Sequence, residues 1–147
     1  MLALKIAQLL PAATGHWHGH HYHPPAYDLS LSLTYAERCQ PNLHAKLDDE
    51  IEVELALPAG TVLHDGDLLQ SPDNRIIRVE ASLEHVSTAF TKEHTILAQA
   101  CYELGKQGVN IQIGDTWLRY LHDPSLDKQM ELAGLQVFIE YNLFDPR

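Results

Sequence analysis

Five histidines stand within eight consecutive residues near the start of the chain, and they are half of its ten histidines. They are His16, His18, His20, His21 and His23, in the segment GHWHGHHYH. Neutral imidazole is a borderline-soft donor that suits nickel, copper and zinc, and its ordinary pKa of about 6.5 leaves it unprotonated at neutral pH. This density of imidazoles predicts a segment that binds a divalent transition metal near pH 7 and releases it on acidification.

The composition of this segment predicts a flexible arm that wraps an ion, in contrast to a rigid catalytic cage. Gly15 and Gly19 loosen the backbone, and Pro24 and Pro25 end any regular structure directly after the last histidine. Two alternatives compete with metal binding. One is a purification tag, which is usually an unbroken histidine run, and the other is a solvated polar loop. Residues 15–23 are named the histidine arm below.

Composition and charge exclude several classes of partner. The chain has 147 residues, of which 45% are hydrophobic, and 20 acidic residues against 10 Lys and Arg give a formal charge of -10. Because there is no basic run and no apolar segment of about 20 residues, we expect neither nucleic acid nor a membrane as a partner. Cys39 and Cys101 lie outside any CxxC pair, which favours the reducing cytoplasm. Lys5 and Gln8 interrupt the apolar start, which predicts a first strand and not a secretory signal.

Hydrophobic periodicity predicts a first domain, residues 1–80, that is a small all-β module carrying the histidine arm. Apolar and polar residues alternate with period two at 29–33 and 51–57, which is typical of half-buried strands. Turn residues separate further short strands near 61–63 and 75–80.

The second predicted domain, residues 81–147, combines strands with two helices. Strand patterns cover 84–90, 109–113, 117–121 and 135–141, and helical patterns cover 92–104 and the stretch from the N-cap Asp123 to Gly134. We expect Gly105 to supply the left-handed C-terminal cap of the first helix. The second helix is expected to bury Leu126, Met130 and Ala133. The order βαββαβ predicts a ferredoxin-like domain with both helices on one face of an antiparallel sheet, so the fold class is α+β.

Five segments of the two domains are distinctive: the opening MLALKIAQLL, LDDEIEVELALPAGTVLHDGDLL at 47–69, LAQACYELG at 97–105, VNIQIG at 109–114 and LRYLHD at 118–123. Together with the domain organisation, they resemble the UreE family of urease accessory nickel metallochaperones. The resemblance implies a cytoplasmic homodimer without enzymatic activity that binds Ni(II), with Cu(II) or Zn(II) as alternative ions. It also implies two partners, the urease apoprotein and its GTPase-containing accessory complex.

The chain departs from that family at the metal-binding positions. The family places an interfacial histidine after the first helix in a Gly-Asn-x-His context, whereas residues 105–108 are GKQG, so the matching position is Gly108. The family's His-Asp-His corner becomes His122-Asp123-Pro124. By this resemblance His122 is expected to be either an auxiliary metal ligand of a rebuilt site or a hydrogen-bonded surface residue beside a helix start. Most members carry a C-terminal histidine tail, while here the histidines follow the first strand.

Three functions remain open at this stage. The first is a nickel metallochaperone or metal store, and the second is a divergent UreE-like storage or interaction module that has lost interfacial nickel delivery. The third, an enzyme, lacks a nucleophile elbow, a phosphate-binding glycine loop and an HExxH motif, and residues 48–50 are better explained as a hairpin turn. The remaining histidines are scattered at strand or helix edges and are expected to be solvated. They are His44, His64, His85 and His94.

Overall fold

The computed structural model describes residues 4–11 and 28–147, and the chain divides into two compact units, Met1–Ala81 and Ser82–Arg147. The histidine arm lies outside the described residues, and with it His16, His18, His20, His21 and His23. None of the helices in the described part of the chain has the length and apolar character needed to traverse a bilayer.

Two sheets build the first unit. Its strands are β1 (Leu4–Ile6), β2 (Gln8–Leu9), β3 (Leu29–Leu33), β4 (Asn42–Lys46), β5 (Glu52–Ala56), β6 (Leu68–Gln70) and β7 (Ile76–Ala81). One sheet has the order β1-β5-β4 and the other β2-β6-β7-β3, and the pairs β1 with β5 and β3 with β7 are parallel. The period-two alternation turns the apolar side chains inward, where Leu31, Leu33, Val53, Leu55, Ile77 and Val79 are buried.

Besides two strands, β4 and β6, that were not predicted, the first unit differs from the prediction in three places. The expected single first strand is two short strands, β1 and β2, which belong to different sheets. The strand expected at 61–63 is wrong, because the backbone N–H of Leu63 bonds to the carbonyl of Arg38 and not to a neighbouring strand. The third difference is a short helix, α1 (Tyr35–Arg38), within the supposedly all-β module. Its capping box explains it, since Thr34 and Glu37 each accept the other's backbone N–H.

The second unit has the predicted order of elements. These are β8 (Leu83–Phe90), α2 (His94–Lys106), β9 (Gln112–Ile113), β10 (Trp117–Leu121), α3 (Pro124–Leu132) and β11 (Gln136–Leu143). The sheet order β11-β8-β10-β9 is antiparallel throughout, which confirms the ferredoxin-like prediction. The core joins both helices to the sheet through Ala89, Leu97, Ala100, Leu104, Leu118, Tyr120, Met130 and Leu135.

Both long helices end on a glycine in the left-handed region, Gly108 with φ +79° and Gly134 with φ +97°. After α2, the N–H of Val109 donates to the carbonyl of Leu104, and that of Gly108 donates to the carbonyl of Gly105, each at 3.0 Å. This is a Schellman motif, and it places the apolar C″ residue against the buried last turn of the helix. The prediction that Gly105 caps α2 is therefore wrong, whereas the predicted end of α3 at Gly134 is confirmed.

Candidate metal centre

His122 is the predicted metal ligand that lies within the described residues. It directly follows β10 and precedes Asp123, the N-cap of α3. The Asp123 carboxylate accepts the backbone N–H of Ser125 at 2.8 Å, and Pro124 takes the first helical position, where no N–H is needed. The corner that holds His122 is thus fixed by the strand on one side and a capped helix on the other.

The Nδ1 atom of His122 contacts two polar side chains. It lies 3.2 Å from Oδ2 of Asp127 and 3.0 Å from Oγ of Ser87. Because an ionised carboxylate can only accept a hydrogen bond, Asp127 favours the tautomer of His122 that carries its proton on Nδ1. Nε2 then keeps its lone pair, which is the arrangement of a metal-binding histidine oriented by a carboxylate.

Asp127 is held in turn by Tyr120. The Tyr120 hydroxyl donates to Oδ1 of Asp127 at 2.7 Å, and the two residues are 1% and 8% exposed. Burial raises the pKa of Tyr120 above its usual range, and the hydrogen bond to Asp127 raises it further. Tyr120 therefore remains a donor over the whole range in which a histidine changes charge. One carboxylate oxygen is occupied by this fixed donor, while the other faces His122.

His85 stands beside His122 on the neighbouring strand. The N–H of His122 donates to the carbonyl of His85 at 3.0 Å, one step beyond the last register pair of β10 and β8, Leu121 with Val86. The two ring centroids are 4.4 Å apart with an angle of 42° between the ring planes. On its other side His85 stacks on Tyr141 of β11 at 5.0 Å. The exposed His85 is solvated as predicted, but its contact with His122 was not foreseen.

The remaining candidate ligands do not assemble into a larger cluster. Within residues 4–11 and 28–147, no three His, Cys, Asp or Glu side chains are grouped as a metal ion would require. His44 and His94 are exposed, as predicted. Burial raises the pKa of the Cys101 thiol, which disfavours the thiolate form that binds metals. The donor chemistry of an imidazole such as that of His122 suits nickel, copper or zinc, but the described residues around it supply no set of three ligands.

Gly108, the position matched to the interfacial histidine of the resembling family, is exposed at the end of α2. A Cβ atom added there would meet no heavy atom within 4 Å. A side chain at this position would therefore meet backbone strain from the positive φ but no clash. The native glycine offers no ligand.

Comparison with known proteins decides the family. Residues 8–82 match the sequence profile described as UreE urease accessory protein, N-terminal domain, and residues 77–147 match that of the C-terminal domain. The chain belongs to the UreE urease accessory protein family. The predicted resemblance is thereby confirmed for both domains. The expectation that this UreE chain is an accessory protein and not an enzyme is confirmed as well.

Individual UreE relatives match over about four fifths of the chain. The urease accessory protein UreE of Vibrio parahaemolyticus is 45% identical over 118 residues, which are 80% of this chain and 74% of that protein. That of Shewanella halifaxensis is 38% identical over 122 residues, 83% of this chain and 71% of the relative. That of Proteus mirabilis is 39% identical over 118 residues, 80% of this chain and 73% of the relative.

Sequence reasoning singled out His122 but missed the side chains that orient it. Asp127 lies one turn after the N-cap of α3, and Ser87 lies on β8, about 35 residues before His122. One local pattern pointed to these neighbours of His122. Tyr120 and His122 are two residues apart, so their side chains lie on the same face of the extended chain at the end of β10. Asp127 occupies the inner side of α3, whereas Ala133, predicted to be buried, is exposed because it is the C-cap residue.

Replacing Asp127 with alanine should both destabilise this UreE chain and weaken metal binding at His122. The change leaves the buried Tyr120 hydroxyl without its acceptor, which should cost about 1–3 kcal/mol in the free energy of unfolding. Loss of the orienting carboxylate should reduce metal affinity about tenfold or more. Chemical denaturation measures the first effect. The second is measured by nickel titration of a full-length chain whose five arm histidines are asparagine, called the arm-substituted chain below.

Asp127→Asn provides the matched control for that variant. Its amide oxygen still accepts from Tyr120, so stability should stay near that of the parent. Its amide nitrogen donates to Nδ1 of His122 and moves the ring proton to Nε2, which blocks the metal-binding atom. An Asn variant that binds nickel as tightly as its parent would contradict the role assigned to Asp127.

Proposed function

We propose that this UreE chain binds nickel and supplies it to urease during maturation of that enzyme, as a metallochaperone. The observation that carries the proposal is that the two UreE domain profiles together match residues 8–147. Nickel is the cargo of such a protein and takes no part in a reaction on it.

The histidine arm is the main nickel-binding segment in this proposal. Five imidazoles within eight residues can fill several positions of one ion, and such donors suit Ni(II). Cu(II) competes in vitro because it stands above nickel in the Irving–Williams order, and Zn(II) accepts the same donors. Physiological selection of nickel then depends on which ion is available and which recipient takes it.

His122 contributes a second binding position outside the arm. The support for this is the 3.2 Å contact between its Nδ1 and Oδ2 of Asp127, which favours a proton on Nδ1 and so reserves Nε2 for a metal. About a fifth of the His122 side chain is exposed, which leaves the ring open to solvent.

We further propose that the protein works as a homodimer and that its partners are the urease apoprotein and the GTPase-containing accessory complex. Family membership supports both parts of this assignment. The formal charge of -10 suits a carrier of cations, since it raises the local cation concentration.

A second function, a metal store or interaction module without interfacial delivery, is favoured by one observation. Gly108 stands where the resembling family has its shared histidine, so two copies of this chain would present no ligand at that position. In this alternative the arm holds nickel, but urease does not receive it.

Complementation distinguishes the two functions. The chain is expressed in a urease-producing bacterium that lacks its own UreE, and urease activity is measured at limiting nickel. We expect activity to be restored, and we expect the purified chain to bind more than one nickel ion per dimer in equilibrium dialysis. Nickel binding without restored activity would favour the store, and a purified chain that binds no nickel would contradict both functions.

A further inference from the structure

We infer that His85 and His122 form a two-imidazole site for a divalent transition ion within one protomer. The inference rests on the proposed nickel function and names a ligand, His85, outside the motif that pointed to His122. The site uses neither the histidine arm nor the position of Gly108.

The sheet register places the two histidines opposite each other. The ladder of β10 and β8 pairs Leu121 with Val86, and the next step pairs His122 with His85 through the 3.0 Å backbone hydrogen bond. Side chains at directly opposed positions of antiparallel strands project from the same face, with Cβ atoms about 4.5–5.5 Å apart. The backbone thus holds both imidazole stems side by side before any ion arrives.

The separation of the two ring centres is close to that of two imidazoles on one ion. Imidazole nitrogens bound about 2.0–2.1 Å from an ion at adjacent coordination positions hold their ring centres about 4.5–5 Å apart. The observed separation of the His85 and His122 centroids is 4.4 Å, with the rings tilted by 42°. Because His85 is exposed, a modest rotation of its ring can complete the fit.

The two rings differ in what holds them. Nδ1 of His122 is fixed by Ser87 and Asp127, so Nε2 is the atom available to an ion. Among the described residues, the side chain of His85 has no hydrogen-bond partner, and its ring lies beside that of His122 and stacks on that of Tyr141. One ligand is therefore preorganised, and the other is free to swing onto the ion.

Two protein ligands leave most of the coordination sphere to water or to an incoming donor. Such a site binds an ion less tightly than a closed site of four protein ligands. A recipient can add its own ligand to the ion before the two histidines dissociate from it. The pair therefore suits a transfer step better than long-term storage.

The arm-substituted chain, full length, tests the pair without interference from the arm. We expect it to bind one Ni(II) per protomer by calorimetry. We also expect Cu(II) to show couplings to two imidazole nitrogens in electron paramagnetic resonance. His85→Gln and His122→Gln should each weaken Ni(II) binding by about tenfold or more, the loss that even an outer-shell partner commonly causes. The double variant should bind Ni(II) no more tightly than the weaker single variant, because it keeps neither imidazole.

His94→Gln is the matched control, an exposed histidine of the same unit that should leave binding unchanged. Thermal melting confirms that each variant is folded. If His85→Gln binds Ni(II) like its parent, or Cu(II) couples to a single nitrogen, the pair is wrong and His85 merely packs on Tyr141. If the arm-substituted chain binds nothing while the intact chain binds nickel, the pair is again wrong but the proposed function stands. An intact chain that binds no nickel overturns both.

Discussion

Replacing the five arm histidines with asparagine is expected to remove the nickel that the arm binds at neutral pH and to leave the ion proposed at His85 and His122. Asparagine keeps the polarity and approximate size of the side chains but has no imidazole nitrogen. Any loss of nickel in the variant therefore comes from the loss of metal ligands and not from a change in size or polarity. The expected loss is at least about one ion per protomer, since five imidazoles suffice for one multidentate site. Equilibrium dialysis with metal analysis counts the ions. The intact chain should also lose this nickel below about pH 6, where ordinary imidazoles protonate.

The matched control for the arm replaces His44 and His94, which are exposed on the two units, with asparagine. It removes imidazoles without touching the arm and should leave the nickel count unchanged. If the arm-substituted chain retains the full count, the metal is bound elsewhere and the role of residues 15–23 is wrong.

Gly108→His is expected to create a tight nickel site shared between two protomers. The side chain has room, because an added Cβ would meet no heavy atom within 4 Å. The positive φ of +79° should cost about 1–2 kcal/mol in the free energy of unfolding, although histidine is among the residues that enter this region more often than most. In the arm-substituted background, nickel titration should show a new site of one ion per two protomers. Sedimentation should show nickel-dependent dimer stabilisation.

Gly108→Asn is the control, because asparagine bears the same backbone strain without an imidazole. If the two variants bind nickel equally, the position does not face a partner protomer as the resemblance implies. The same pair of variants bears on function in the complementation assay. If urease is activated by Gly108→His and not by the native chain, the native protein is a store or interaction module.

Periodicity was sufficient to predict most of the fold because half-buried elements must alternate with the period of their backbone. Leu29–Leu33 lies where the alternation placed it, and Trp117–Leu121 lies where a strand was predicted. Helix ends were harder, because both Gly105 and Gly108 satisfy a C-cap pattern. The choice is made by tertiary packing, since continuing to Lys106 lets Val109 close the Schellman motif over the buried Leu104.

The candidate site was predictable only in part. The imidazole density of the arm is a local property and needs no fold, whereas the pairing of His85 with His122 depends on the register of two strands separated by α2. The hydrophobic periodicity of the sequence does not specify which residues of the two strands pair. The burial of Asp127 could not be predicted either, because an acidic residue near the start of a helix is usually solvated.

The first unit holds the chain on both sides of the histidine arm. Leu10 donates its N–H to the carbonyl of Leu68 at 2.9 Å, and Asp28 donates to that of Ile76 at 2.8 Å, at the two outer strands of the order β2-β6-β7-β3. With strands about 4.8 Å apart, these attachment points are separated by about 14 Å. If the imidazoles between these points bind one ion, the chain therefore loses less conformational entropy than a tail tethered at one end would lose. In the proposed function, the same double tether would keep an ion bound by the arm within about 30 Å of the sheet, so a recipient would have to approach the first unit.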